Sequence, residues 1–238
     1  MKKEYYKKLT IIGIFAIAMA FLEATIVIYL RKIYYPSGFN FPLKGLIEPS
    51  ILNVEWIREI FTILMLLCIS LLAAKKLNER FAYFLYSFAI WDIFYYIWLK
   101  IILNWPYSLL TWDLLFLVPW PWIGPVIAPI LLSITMLILS LCIVYCQDKN
   151  INIIIKIKTR EWILLILGSL IILYTFLIDY GKLIFSGFTK DFFSLATNLE
   201  LNKIISLYNP TNYNWFLFII GELLLLVSII SFYLRNKR

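Results

Sequence analysis

Six apolar runs, each close to the 20 or so residues that cross the hydrocarbon of a bilayer, set the pattern of this chain. They are Leu9–Leu30, Val54–Ala74, Phe81–Leu103, Val126–Cys146, Glu161–Tyr180 and Trp215–Leu234. The connections alternate in character. Lys75–Arg80 and Gln147–Arg160 are short and basic, whereas Arg31–Asn53, Asn104–Pro125 and Gly181–Asn214 are longer and rich in aromatics, proline, glycine and asparagine. The pattern predicts an all-α, polytopic bundle of six transmembrane helices forming one membrane domain over residues 1–238. No connection is long enough to fold alone.

Composition agrees with that class. The chain has 238 residues, is 63% hydrophobic and only 15% charged, and its mean hydropathy is +0.86. Soluble domains carry about 25% charged residues. A net charge of +8 raises the question of nucleic acid. The basic residues, however, stand in short clusters at span ends, so the expected partner is the lipid bilayer and not nucleic acid.

Lysine and arginine also orient the chain. Four in the N-terminal tail, three in Lys75–Arg80, four in Gln147–Arg160 and three in the C-terminal tail make 14 on one side; the other three connections hold six. The bias predicts both termini in the cytoplasm of a cell membrane. Met1–Lys8 followed by an apolar run and Ala18-Met19-Ala20 has the outline of a cleaved leader. The run continues through Ile26–Leu30, and Gly13, Ala16, Ala20 and Ala24 share one helical face, so it is read as a retained first span whose small residues admit a close neighbour.

The chain has no histidine, which removes imidazole metal ligands, bases and proton switches. Of three cysteines, Cys142 and Cys146 share a helix face and read as packing residues. No metal and no cofactor is expected. There is no nucleophile elbow, P-loop, dinucleotide fingerprint or zinc-protease motif.

Charges inside the apolar runs carry the chemical content. A charge at bilayer depth costs about 2.5–3.5 kcal/mol or more and is a candidate functional group. With a rise of about 1.5 Å per residue, the alternating spans place Glu23, Glu55, Glu59, Asp92, Asp179 and Glu222 with Arg58 and Lys100 in the same half of the membrane. Asp92, Tyr96 and Lys100 form one stripe on the third span. The expected ligand or proton site is Glu23, Arg58, Glu59, Asp92, Tyr96, Lys100, Asp113 and Glu222, with no catalytic residue assigned. Glu23 and Asp92 should face the bundle interior with Arg58 or Lys100 as their nearest cation, and if a charge compensates Asp92 it should be Arg58 and not Lys100.

The connection Asn104–Pro125 holds one charge, Asp113, and four tryptophans. Pro106 and Ser108 can start a helix and Pro119 must end it, which predicts a short interfacial helix of about ten residues, too short to span. Asp113 would point from it toward the polar cluster, and the segment reads either as a lid over the site or as an amphipathic anchor.

The segment Trp91–Pro129, with WDIFYYIWLK and WPYSLLTWDLLFLVPWPWIGPVIAP, resembles a set of uncharacterised prokaryotic multi-span membrane proteins, and Phe21–Phe39 looks like their first span and loop. The resemblance implies a polytopic prokaryotic membrane protein and no catalytic role. Three functions stay open: a protein that binds or transports a small or amphiphilic ligand, a membrane enzyme acting on a lipid-like substrate, and a non-catalytic subunit of a membrane complex. A cavity lined by the carboxylates favours the first two, and dry one-to-one ion pairs the third.

Overall fold

The computed structural model describes residues 3–43, 48–150, 155–185, 203–204 and 206–237. Most of the connection Gly181–Asn214 predicted from the sequence lies outside them. Six long helices are present: α1 (Lys3–Tyr34), α2 (Pro49–Ala73), α3 (Leu77–Leu103), α4 (Ile127–Lys149), α5 (Thr159–Phe185) and α6 (Trp215–Asn236). All six are long and apolar enough to cross a membrane. Each contains its predicted span or all but a terminal residue of it, and most extend by a turn or more at the ends.

α3 is the hub, packing on α1, α2 and α4; α4 continues to α6, and α6 to α5. Directions alternate. Glu161 at the start of α5 meets Arg235 at the end of α6, and the Asn150 side chain beyond α4 donates to the Asn236 carbonyl. Those groups mark the end of the bundle that carries both chain termini. The C-terminal ends of α1, α3 and α5 lie at the other end.

The helices are dressed for lipid. On α2 the buried positions are Glu55, Glu59, Thr62, Leu66 and Ser70, while Val54, Ile57, Phe61, Leu64 and Leu72 are exposed. Water would reverse that arrangement; hydrocarbon favours it, because polar groups must then find partners inside the bundle. On α1 the small stripe is buried as its spacing implies, with Ala16, Ala20 and Ala24 fully inaccessible. Gly168 of α5 and Gly221 of α6 face each other so closely that a Cβ on Gly168 would lie 2.8 Å from the Gly221 carbonyl oxygen.

One element departs from expectation. The connection between α3 and α4 is not a short interfacial helix but an antiparallel hairpin, β1 (Trp112–Phe116) and β2 (Trp122–Pro125), with an irregularity between Leu114 and Phe116. Two physical reasons favour the hairpin. A ten-residue helix leaves its terminal N–H and C=O groups unpaired, a heavy cost at membrane depth, whereas the hairpin pairs much of this segment with itself. The Trp, Phe and Leu content suits a strand, and Pro119 and Pro121 fall in the connecting turn, where a missing N–H costs little. The pairing extends past the strands, with Val126 N donating to the Thr111 carbonyl and Ile127 N to that of Leu109.

Candidate functional site

α1, α2, α3 and the hairpin enclose a cavity of about 190 Å³ at the hairpin end of the bundle. Its polar lining includes Glu23, Arg31, Glu55, Arg58, Glu59, Asp92 and Tyr96; Val27, Leu30, Leu52 and Leu114–Leu117 supply apolar wall. The volume equals several waters or a small polar headgroup.

Arg58 organises the α1–α2 side. It lies one turn from Glu55 on α2, and its Nε donates to Glu55 Oε2 at 2.8 Å. The other arm of the guanidinium reaches Glu23 of α1 as an ion pair. Thr62, one turn further along, donates its hydroxyl to Glu23 Oε2 at 3.3 Å. A planar fork suits this bridging of two carboxylates from different helices. Glu23 therefore has the inward orientation and the cation that its spacing predicts.

Glu59 does something else. Its Oε2 accepts the Leu117 backbone N–H at 2.8 Å, so a helix carboxylate satisfies a buried N–H of the hairpin's connecting turn. An unmet buried N–H is costly, and this bond ties the hairpin to α2.

Asp92, near the middle of α3, accepts a hydrogen bond from the Ser133 hydroxyl of α4 at 2.8 Å. Here the expected pairing fails. Among the described residues neither Arg58 nor any other cation forms an ion pair with Asp92. The two carboxylates of Glu23 and Glu55 already occupy Arg58. Asp92 nevertheless keeps intermediate exposure within an apolar bundle, because its carboxylate opens onto the cavity.

The hairpin contributes Asp113, fully inaccessible, which pairs with Arg31 at the end of α1 at 2.9 Å and accepts the Tyr96 hydroxyl at 3.2 Å and the Leu114 N–H at 2.9 Å. Burial holds the Asp113 carboxyl above the ordinary carboxylate range, while Arg31 and these hydrogen bonds pull the other way. Asp113 itself does not line the cavity; Arg31 and Tyr96, which it positions, do.

Two expected members fall elsewhere. Lys100 caps its own helix, donating to the Asn104 carbonyl at 3.5 Å and to that of Pro106 at 3.0 Å. It sits on the predicted stripe with Tyr96 but is exposed, since its stem lets it leave the bundle. Glu222 accepts the Thr135 hydroxyl of α4 at 2.7 Å, on the α4–α6 side and outside the cavity. Ser133 and Thr135 point to different neighbours of α4, so the carboxylates of α3 and α6 are separated by that helix.

Arg31 is the residue that sequence reasoning missed, assigned only to a polar connection. The signal was present: the stripe of Ala20, Ala24 and Ile28 continued by three residues lands on Arg31, which is 7% exposed. The serine and threonine partners Thr62, Ser133 and Thr135 were equally silent, because hydroxyls are common on membrane helices.

At the opposite end of the bundle Glu161 is fully buried and takes Arg235 at 2.6 Å and the Lys158 N–H at 2.7 Å. It clips α5 to α6 and touches no cavity residue. Among the described residues no three acidic or cysteine side chains come close enough to hold a metal ion. Comparison with family models, curated proteins and solved structures found no match.

Proposed function

We propose that this membrane protein binds a small or amphiphilic ligand carrying a positive charge in the carboxylate-lined cavity. One observation carries the reading: among the described residues Glu59 and Asp92 line the cavity without an ion-pair partner, while Arg58 is occupied by Glu23 and Glu55 and Arg31 by Asp113. Uncompensated carboxylates in low dielectric recruit a cation or protons. Apolar wall on one side and carboxylates on the other suit an amphiphile with an ammonium head. The basic residues of the short connections support a cell membrane with both termini cytoplasmic, which sets the cavity in the outer half of the bilayer.

The direct test is equilibrium titration of the purified protein, in lipid nanodiscs, with tetramethylammonium and with dodecyltrimethylammonium. Saturable binding is expected, tighter for the amphiphile. Absence of saturable binding of either cation would reject the reading.

A further inference from the structure

A second cavity, of about 320 Å³, opens beside the first at the same end of the bundle, between the end of α1, the loop that follows it and the loop after α3. Its lining includes Arg31, Lys32, Phe39, Trp105 and Tyr107, and no acidic residue. Arg31, Tyr35 and Phe39 line both cavities, so they form the wall between them.

The buried polar side-chain atoms left unmet here are donors, while the Tyr35 and Tyr107 hydroxyls on the same wall can donate or accept. The Arg31 guanidinium lies 4.1 Å from the Phe39 ring centroid and 3.9 Å from that of Trp105. Both rings lie within cation–π range, and the guanidinium makes its hydrogen bonds in its own plane. Nη2 is spent on Asp113, and Nη1 has no partner among the described residues. The Trp105 indole N–H is likewise without a partner among them. Arg31 is 7% exposed and Trp105 3%, so bulk water does not readily serve these donors. An indole nitrogen and a guanidinium only donate, and the exposed Lys32 ammonium adds a third donor and a charge. Unmet buried donors are costly, and an anion with several oxygens meets them together.

We infer that this second cavity is a binding site for a phosphate group, distinct from the carboxylate-lined cavity. Its surroundings fit a phosphate held at the membrane surface. Tyr107 stands exposed on the rim, and Tyr29, Ile33, Leu109 and Leu110 are exposed apolar or aromatic residues of the same segments. The phosphate of a lipid headgroup and free inorganic phosphate share this chemistry, and the test separates them.

The full-length protein in a neutral detergent is titrated calorimetrically with inorganic phosphate and with dihexanoyl phosphatidylglycerol. Trp105→Phe keeps the ring and removes the indole donor; Lys32→Gln removes the charge at an exposed position where folding is not at risk. Each is expected to weaken binding about tenfold, the size of one charge-assisted hydrogen bond. Lys8→Gln, at the far end of α1, should bind like wild type. Binding of the lipid alone assigns the site to a headgroup, and comparable binding of phosphate assigns it to the free anion. No saturable binding of either ligand, or unchanged affinity in Lys32→Gln, would overturn the inference. Neither Lys32 nor Trp105 lines the first cavity, so these variants should bind dodecyltrimethylammonium as wild type does, and the two sites fail or stand separately.

Discussion

Arg31 and Asp113 differ in what each can do when its partner is removed. A buried carboxylate left alone takes up a proton, but a guanidinium stays charged at any accessible pH. Asp113→Asn therefore strands a buried charge and is expected to cost about 3–5 kcal/mol. Arg31→Met should cost less, because Asp113, already pushed upward by burial, rises further and neutralises. The sign follows: with its folded pKa above the unfolded value, Asp113 in that variant contributes stability at low pH that is lost as pH rises through the raised pKa. Thermal unfolding in detergent at mildly acidic and mildly alkaline pH checks both. Equal losses in the two variants, or an Arg31→Met protein stabilised by raising the pH, would contradict the assignment. Arg58 bridges two carboxylates, and Arg58→Met should leave Glu23 and Glu55 without their shared cation and loosen α1 from α2.

α5 and α6 meet through glycine, and that contact makes a prediction at the scale of elements. A Cβ on Gly221 would lie 2.5 Å from Ile172 Cγ1 and 2.9 Å from the Gly168 carbonyl oxygen. Gly221→Ala should lower stability by the roughly 1–3 kcal/mol typical of overpacking, read as a lower melting temperature; a variant that melts like wild type would mean the helices can part without loss. The helices themselves were legible because length and hydropathy decide them, and the stripe of small residues on α1 fixed its buried face. The hairpin was not legible. Its local sequence satisfies a short helix nearly as well, and a bond that anchors it, Leu117 N–H to Glu59, spans 58 residues. Of the expected site, Glu23, Arg58, Glu59, Asp92 and Tyr96 line one cavity, while Asp113 stands behind its wall. Glu222 and Lys100 separate from it because depth along a helix can be counted from sequence but the neighbour each face meets cannot.

For the whole molecule the orientation in the bilayer frames every statement about the cavity. Cysteine introduced in a cysteine-free background at Ser37, an exposed position beyond α1, should react with a membrane-impermeant maleimide added to intact cells; cysteine at the exposed Lys75, between α2 and α3, should not. The reverse pattern would invert the proposed topology. The bundle also divides by role: Glu161 with Arg235 clips one end as an ion pair, while at the hairpin end the first cavity leaves Glu59 and Asp92 without an ion-pair partner among the described residues. The measurement that bears most directly on this contrast compares dodecyltrimethylammonium affinity in nanodiscs for the wild type, Asp92→Asn, Glu59→Gln and Glu222→Gln. Asp92→Asn should weaken binding most, because Asp92 is the lining carboxylate held only by a serine hydroxyl. Glu59→Gln should weaken it too, since its amide oxygen can still accept from Leu117 while the charge is gone. Glu222→Gln, outside the cavity, should bind as wild type does. Unchanged affinity in Asp92→Asn, with the protein folded, would contradict a cation site in this cavity.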